Sequence, residues 1–281
     1  MGKGSVTTKN IKISAIQMNA KIGDKLANFD KVSTLVERDV KETDIIVLPE
    51  VWTCGWAPRI FQKSAENLSN SKTIEFLSNI AKKHNSWVIG GSFITKVKEH
   101  YFNTCPVINR EGKLVTTYSK NHLFSYYGCN EGKFVDTGNF PVMVNIDGIK
   151  VGLTICYDIR FPEIYRAYRK AGVDLFVNCA AWGLSKPIPW ECLTRARAVE
   201  EQTYMIALTQ SGYIEGDDWN IGHSRIIDYK GETISEIKNQ NEGAMEAILD
   251  FTPMYEFRDK CTCLNDIKQT YEVKYEENIL A

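Results

Sequence analysis

The sequence has no excess of either charge, no long apolar run and only four histidines. Lys plus Arg number 34 against 35 Asp plus Glu, a formal net charge of −1. A nucleic-acid-binding surface normally shows as a basic excess or a basic run, and neither is present. No stretch approaches the ~20 apolar residues that a membrane helix needs. Neither nucleic acid nor membrane is therefore an expected partner. Residues 1–10, MGKGSVTTKN, lack the apolar core of a signal peptide and read as a flexible tail. The GxGxxG and P-loop phosphate motifs are absent. No low-complexity tract, fixed-period repeat or Pro/Gly/Ser linker divides the chain, so a single domain over 11–281 is expected.

What is there is an ordinary globular composition, 43% hydrophobic and 25% charged, which also excludes a disordered chain. Eight cysteines would allow four disulfides. A chain of 281 residues buries enough surface to dispense with such staples. Cys105, Cys156 and Cys179 also sit inside apolar runs, where a free Cys behaves as a small hydrophobe. The expectation is a reduced, cytoplasmic protein.

The chain alternates short β-rich runs with amphipathic stretches. Ile11–Gln17, Ile45–Leu48 and Trp87–Gly90 read as strands, and 28–42 and Lys72–His84 as helices. Turn signals at Arg110-Glu111-Gly112 and Asp147-Gly148 predict hairpins joining 105–109 to 113–118 and 142–146 to 150–155. Helices are expected over 161–171, closed by Gly172, and over 189–202, opened by Pro189. Strands at 175–179 and 204–209 precede a meander over 224–228, 233–237 and 244–249. About a dozen strands exceed what one twisted open sheet holds, so two stacked sheets with helices outside are predicted.

Three polar residues end apolar strands: Glu50 after IIVLP, Lys120 after VTTYS, and Cys156 after VGLTI. Strand ends are where side chains escape the core on a rigid base. Cys156 also opens YDIRFPE, so its thiolate is expected to face a helix N-terminus. Taken singly, each has an ordinary reading: a core cysteine, a solvated carboxylate, a surface lysine. They carry chemistry together only if they converge in space.

The segments LPEVWTCGW, YSKNHLF and GLTICYDIRFPE resemble the three signature blocks of the carbon–nitrogen hydrolases, the nitrilase superfamily. The order Glu, Lys, Cys matches, and WECLTRARAVEEQTY and IGHSRIIDYKGE add to a likeness running from about Ile11 to Phe251. The resemblance implies an α/β fold, a four-layer αββα sandwich. It implies an amidase in which Glu50 is general base, Cys156 the nucleophile and Lys120 the oxyanion donor with the backbone N–H of Tyr157. Ammonia leaves from a thioester that water then hydrolyses, with no metal or cofactor. Glu131, in NEGKF, matches a second family glutamate that positions substrate and lysine. YDIRFPE is similar to the omega-amidase and deaminated-glutathione-amidase branch, whose substrates are small amides bearing a carboxylate. Arg160 would then hold that carboxylate, with a salt bridge to Glu163 as the alternative, and Trp182 would wall the pocket. The block AAWGLSKPIPW departs from the family's usual wording near the pocket. An N-carbamoyl hydrolase using the same triad and a catalytically silent scaffold are the rival readings. A homodimer or higher homo-oligomer is implied, with 254–281 at its interface.

Two features stand outside this reading. Cys261-Thr262-Cys263 lacks a second ligand pair, so zinc is not expected there. His122 and His223 are expected to make structural hydrogen bonds.

Overall fold

The computed structural model describes residues 10–126, 128–268 and 270–275. The expected tail (1–10) lies outside them except for Asn10, which opens the first strand. Residues 269 and 276–281 of the expected interface segment also lie outside.

In the first half the strands are β1 (Asn10–Gln17), β2 (Ile45–Val47), β3 (Trp87–Ile89), β4 (Phe93–Val97), β5 (His100–Ile108) and β6 (Leu114–Ser119). The helices are α1 (Lys25–Asp39), the single turn α2 (Phe61–Ser64) and α3 (Lys72–His84). The second half adds strands β7 (Val142–Ile146), β8 (Ile149–Ile155), β9 (Leu175–Ala180) and β10 (Tyr204–Thr209). After these come β11 (Ser211–Glu215), β12 (Asp218–Ile221), β13 (Ser224–Ile227), β14 (Thr233–Ile237) and β15 (Gly243–Asp250). Its helices are α4 (Pro162–Lys170), α5 (Pro187–Glu201) and α6 (Phe251–Lys260).

One sheet runs β15-β1-β2-β3-β5-β4 with β6 on β5, and the other runs β14-β13-β10-β9-β8-β7. Alternation along β2 sorts the layers. Ile45 and Val47 join the core shared by the two sheets, while Ile46 and Leu48 pack with Val32, Leu35 and Val36 of α1 and Leu77 and Ile80 of α3. On the far side, Thr154 of β8 bonds the Tyr165 hydroxyl of α4 at 2.8 Å. The order helix, sheet, sheet, helix is the four-layer αββα sandwich. Each fully buried aliphatic side chain in it contributes roughly 1.5–3 kcal/mol. Among the described residues no helix is long and apolar enough to cross a membrane.

Several boundaries differ from the sequence reading. Helix α1 starts at Lys25, because the Asp24 side chain caps Ala27 N at 3.1 Å. Helix α5 starts at Pro187 rather than Pro189. The meander is the main correction. β13 and β14 pair, but β15 crosses to the other sheet and runs antiparallel to β1 from Asn10↔Asp250 to Gln17↔Gly243. The hairpin at Asp147-Gly148 forms as expected, with both residues at positive φ, as a type I′ turn requires.

Candidate active site

Glu50 lies three residues beyond β2 and is fully buried. Its backbone is held from several sides. Gln210 Nε2 donates to Glu50 O at 2.6 Å, and the next residue, Val51, sits at φ +41 with its N–H on Ser92 Oγ at 2.9 Å. A β-branched residue in left-handed backbone is strained, and such strain persists only where the surroundings enforce it. Gly91, at φ +61, lies so close to Pro49 that a Cβ there would stand 2.0 Å from Pro49 O. The carboxylate is fully committed. Oε1 accepts from Lys120 Nζ at 2.8 Å and Asn103 Nδ2 at 2.9 Å, and Oε2 accepts from the Ala181 N–H at 2.8 Å.

Lys120 follows β6 and is completely buried. Its ammonium also reaches Glu131 Oε2 at 2.9 Å and lies 5.2 Å from the Trp56 ring centre. Glu131 starts a short 3-10 turn and is likewise buried. It accepts from Phe124 N at 2.8 Å and Asn103 Nδ2 at 3.2 Å. One cation thus faces two carboxylates away from water. Burial alone would lower the Lys120 pKa, but Glu131 and Glu50 outweigh it and hold the ammonium well above its ordinary range. Burial pushes Glu50 upward, Lys120 opposes it, and the charge of Glu131 adds to the rise. Two of the three ammonium donors are used, which leaves one for another acceptor.

Cys156 directly follows β8 at φ +47, in left-handed backbone. It is buried, and its thiol feels the charge of the Glu50 carboxylate. The expectation of a thiolate at a helix N-terminus needs correction. A five-residue 3-10 turn, Cys156–Arg160, comes first, and α4 begins only at Pro162. Burial, and then the charge of Glu50, push the thiol well above its ordinary range despite Lys120. The sulfur is a thiol facing the charge of a carboxylate of raised basicity. That arrangement can pass the proton from sulfur to oxygen when an electrophile arrives.

A third carboxylate fastens the turn that carries Cys156. Asp158 is fully buried, and its Oδ2 accepts from Ile155 N at 2.9 Å and the Tyr118 hydroxyl at 2.6 Å. Its Oδ1 accepts from His122 N at 2.9 Å, with His122 Nδ1 at 2.8 Å. His223 lies within 3.5 Å of Glu191 and Glu236. Both histidines therefore take polar structural contacts, as expected.

Above the cluster opens a cavity of about 700 Å³, with Cys156, Tyr157 and Trp182 in its lining beside Trp56, Phe124 and Tyr126. Arg160 stands among three of these rings, 5.2 Å from the centres of Tyr126 and Trp182 and 5.9 Å from that of Tyr157. It donates to the Tyr126 hydroxyl, and its buried Nε has no partner. The alternative ion pair with Glu163 is not formed, and among the described residues no carboxylate lies within 4 Å of the guanidinium. The indole N–H of Trp182 donates to Lys186 O at 2.7 Å, which fixes that wall.

Glu50, Lys120, Cys156 and Glu131 thus meet in one buried cluster; Tyr157 and Trp182 line the cavity above it, and Arg160 packs against their rings without itself being in the lining. Sequence reasoning missed Asn103, Asp158 and the hairpin β11–β12. Asn103 lies inside a strand with no motif to mark it. Asp158 is inside a quoted block, but only its four contacts reveal its task. The hairpin brings Trp219 to the cavity and is pinned by Arg59 forking onto Glu215.

Comparison with known proteins agrees with this geometry. The carbon–nitrogen hydrolase family model matches residues 12–259. A 2-oxoglutaramate amidase of Bacillus subtilis is 30% identical over 257 residues, covering 92% of this chain and 97% of its own. The omega-amidase NIT3 of Saccharomyces cerevisiae is 28% identical, covering 92% and 93%. The crystal structure of that yeast Nit3, described as a member of branch 10 of the nitrilase superfamily, superposes with a TM-score of 0.84 at 27% identity, over 92% of this chain and 97% of its own. This chain belongs to the carbon–nitrogen hydrolase family of the nitrilase superfamily and is an amidase-type hydrolase of C–N bonds.

Proposed function

We propose that the enzyme is an omega-amidase-like hydrolase that removes the terminal amide from a small molecule also bearing a carboxylate. The observation that carries this is Arg160. It is an arginine without a carboxylate partner among the described residues, set among the rings of Tyr126, Tyr157 and Trp182 that line the cavity above a buried Cys–Glu–Lys cluster. A guanidinium in such a setting suits bidentate recognition of a carboxylate. The names of the bacterial and yeast relatives point to the same substrate class.

In this reading Glu50 takes the Cys156 proton as sulfur attacks the amide carbon. The carbonyl oxygen becomes an oxyanion, held by the free donor of Lys120 and the Tyr157 N–H. The proton passes from Glu50 to the amide nitrogen, the C–N bond breaks, and ammonia leaves a thioester. Water then attacks with Glu50 again as base, the C–S bond breaks, and acid and thiol are restored. Glu131 positions the lysine. No step calls on a metal or cofactor.

The proposed setting is a cytoplasmic homodimer or higher homo-oligomer formed from a single catalytic domain. The exposure of the large apolar residues Ile188 and Val199 on α5 and Val273 beyond α6 supports association through these segments. Light scattering tests it, and a monomer at micromolar concentration would refute it.

The enzymatic test is ammonia release from a panel of ω-amides with and without a second carboxylate, plus N-carbamoyl amino acids. Carboxylated amides are expected to turn over, and Cys156→Ala is expected to abolish the reaction. Turnover of carbamoyl compounds alone would establish the rival hydrolase. Silence on every member of the panel would leave the scaffold reading standing.

A further inference from the structure

The remaining thiols fall into two groups. Cys54, Cys105 and Cys179 are buried, and Cys129 and Cys192 stand near the cavity and on α5. Cys261 and Cys263 differ from all of these. They follow α6, are half-exposed and exposed respectively, and their sulfurs lie 3.8 Å apart. The backbone brings them together, because Thr262 between them is turned, at φ −86 and ψ 13, rather than extended. An extended residue would put neighbours one apart on the same face but well separated, since each residue adds about 3.3 Å of rise. The turn shortens that span.

The pair is also anchored. Gln202, the left-handed cap of α5, donates from Nε2 to Cys261 O at 2.8 Å and to Cys263 Sγ at 3.4 Å. Arg258 Nε donates to Gln202 O at 2.8 Å, so α6 and the end of α5 share one clasp. The two sulfurs share one hydrogen-bonding contact, and it pushes the Cys263 thiol up. The preorganised contact matters because disulfide geometry is narrow, with an S–S bond of about 2.05 Å that distant sulfurs reach only by backbone movement.

We propose that Cys261 and Cys263 form a reversible dithiol–disulfide site that reacts with low-molecular-weight disulfides. In the first step the Cys261 thiolate attacks one sulfur of the oxidant R–S–S–R. That S–S bond breaks, a mixed disulfide forms, and RS⁻ leaves and takes up the proton that Cys261 lost. In the second step Cys263, losing its proton to solvent or to a second RS⁻, attacks the Cys261 sulfur and displaces that thiolate. The protein dithiol is oxidised by two electrons, and one R–S–S–R is reduced to two RSH. Nothing in this site touches Cys156, so it is independent of the amidase reading.

The test uses the full-length protein and oxidised glutathione, followed by alkylation and peptide mass mapping. Cys192, exposed and without a sulfur neighbour, serves as the internal control for reaction. The expected result is a peptide holding Cys261 and Cys263 that is two hydrogens lighter, with both thiols lost to alkylation and both recovered by dithiothreitol. Cys192 in the same sample carries glutathione. In Cys263→Ser the second step is blocked, and a stable glutathione adduct is expected on Cys261. Ammonia release by this variant stays at the wild-type rate, which certifies its fold. Two free thiols or two separate adducts at 261 and 263, in a sample where Cys192 has reacted, would overturn the proposal. So would a disulfide between chains at either residue.

Discussion

The Tyr118 hydroxyl donates a 2.6 Å hydrogen bond to Asp158 Oδ2 in a fully buried position. Tyr118 lies two residues before Lys120, and Asp158 two residues after Cys156. The bond therefore ties the segment that aims the lysine to the turn that aims the thiol, across two different sheets.

Asp158→Asn replaces a four-fold acceptor with a group that must also donate. The expected result is a fall in kcat of at least about ten-fold with KM little changed, since small misplacements of reacting groups are costly. Stability should drop by about 1–3 kcal/mol, because buried donors lose partners. Steady-state kinetics beside urea unfolding check both. An unchanged kcat in a destabilised protein would reduce the residue to a structural one.

Lys120→Met leaves Glu50 and Glu131 buried without their cation. Breaking a buried pair from one side costs about 3–5 kcal/mol. Loss of the oxyanion donor should reduce kcat by about 10²–10³. The sign with pH follows from the charges. Without Lys120 the Glu50 carboxyl is pushed further up, so its ionised form destabilises the fold most at high pH, and the variant should regain stability as pH falls and it protonates. Thermal melts from pH 8 down to pH 5 test this. A deficit that stays constant over that range would argue against it.

Activity should fail on the acid side at a pH above the ordinary glutamate range. Burial raises Glu50, only partly opposed by Lys120, and the base must be ionised to accept the thiol proton. Glu131 adds to that rise, so Glu131→Gln should move the acid limb of kcat/KM downward even as it lowers the maximum. A limb that moves upward in this variant would show that Glu131 acts on another group.

Arg160→Met should raise KM for a carboxylated ω-amide by about 10–100-fold, the range of one charge-assisted pair worth 1.5–3 kcal/mol. A neutral amide of the same length should be little affected. Arg160→Lys should restore little, because an ammonium offers no planar fork. Equal losses on both amides would remove the carboxylate from the proposed substrate.

Much of this was legible from order and pattern. The continuous apolar run of Ile45 to Leu48 marked a strand buried on both faces, and Asp147-Gly148 marked the turn between β7 and β8 by the need for positive φ. Strand ends singled out Glu50, Lys120 and Cys156. The strand over 244–249 was found, but its sheet was not, because its short-range pattern fits either neighbour and only β1 supplies the full eight-residue pairing. Asn103 reads as any polar strand residue until its amide is found between Glu50 and Glu131.

The sequence by itself determined most of the elements, though not such as β4, β11, β12 or α6, because hydrophobic periodicity and turn chemistry act over a few residues. It also determined the order of the signature blocks. Only the tertiary structure decided that Lys120 is buried between two carboxylates, that Cys156 rests as a thiol, and that Arg160 has no carboxylate partner among the described residues. Those states depend on through-space distance and exclusion of water, and residues 70 and 106 positions from Glu50 set them.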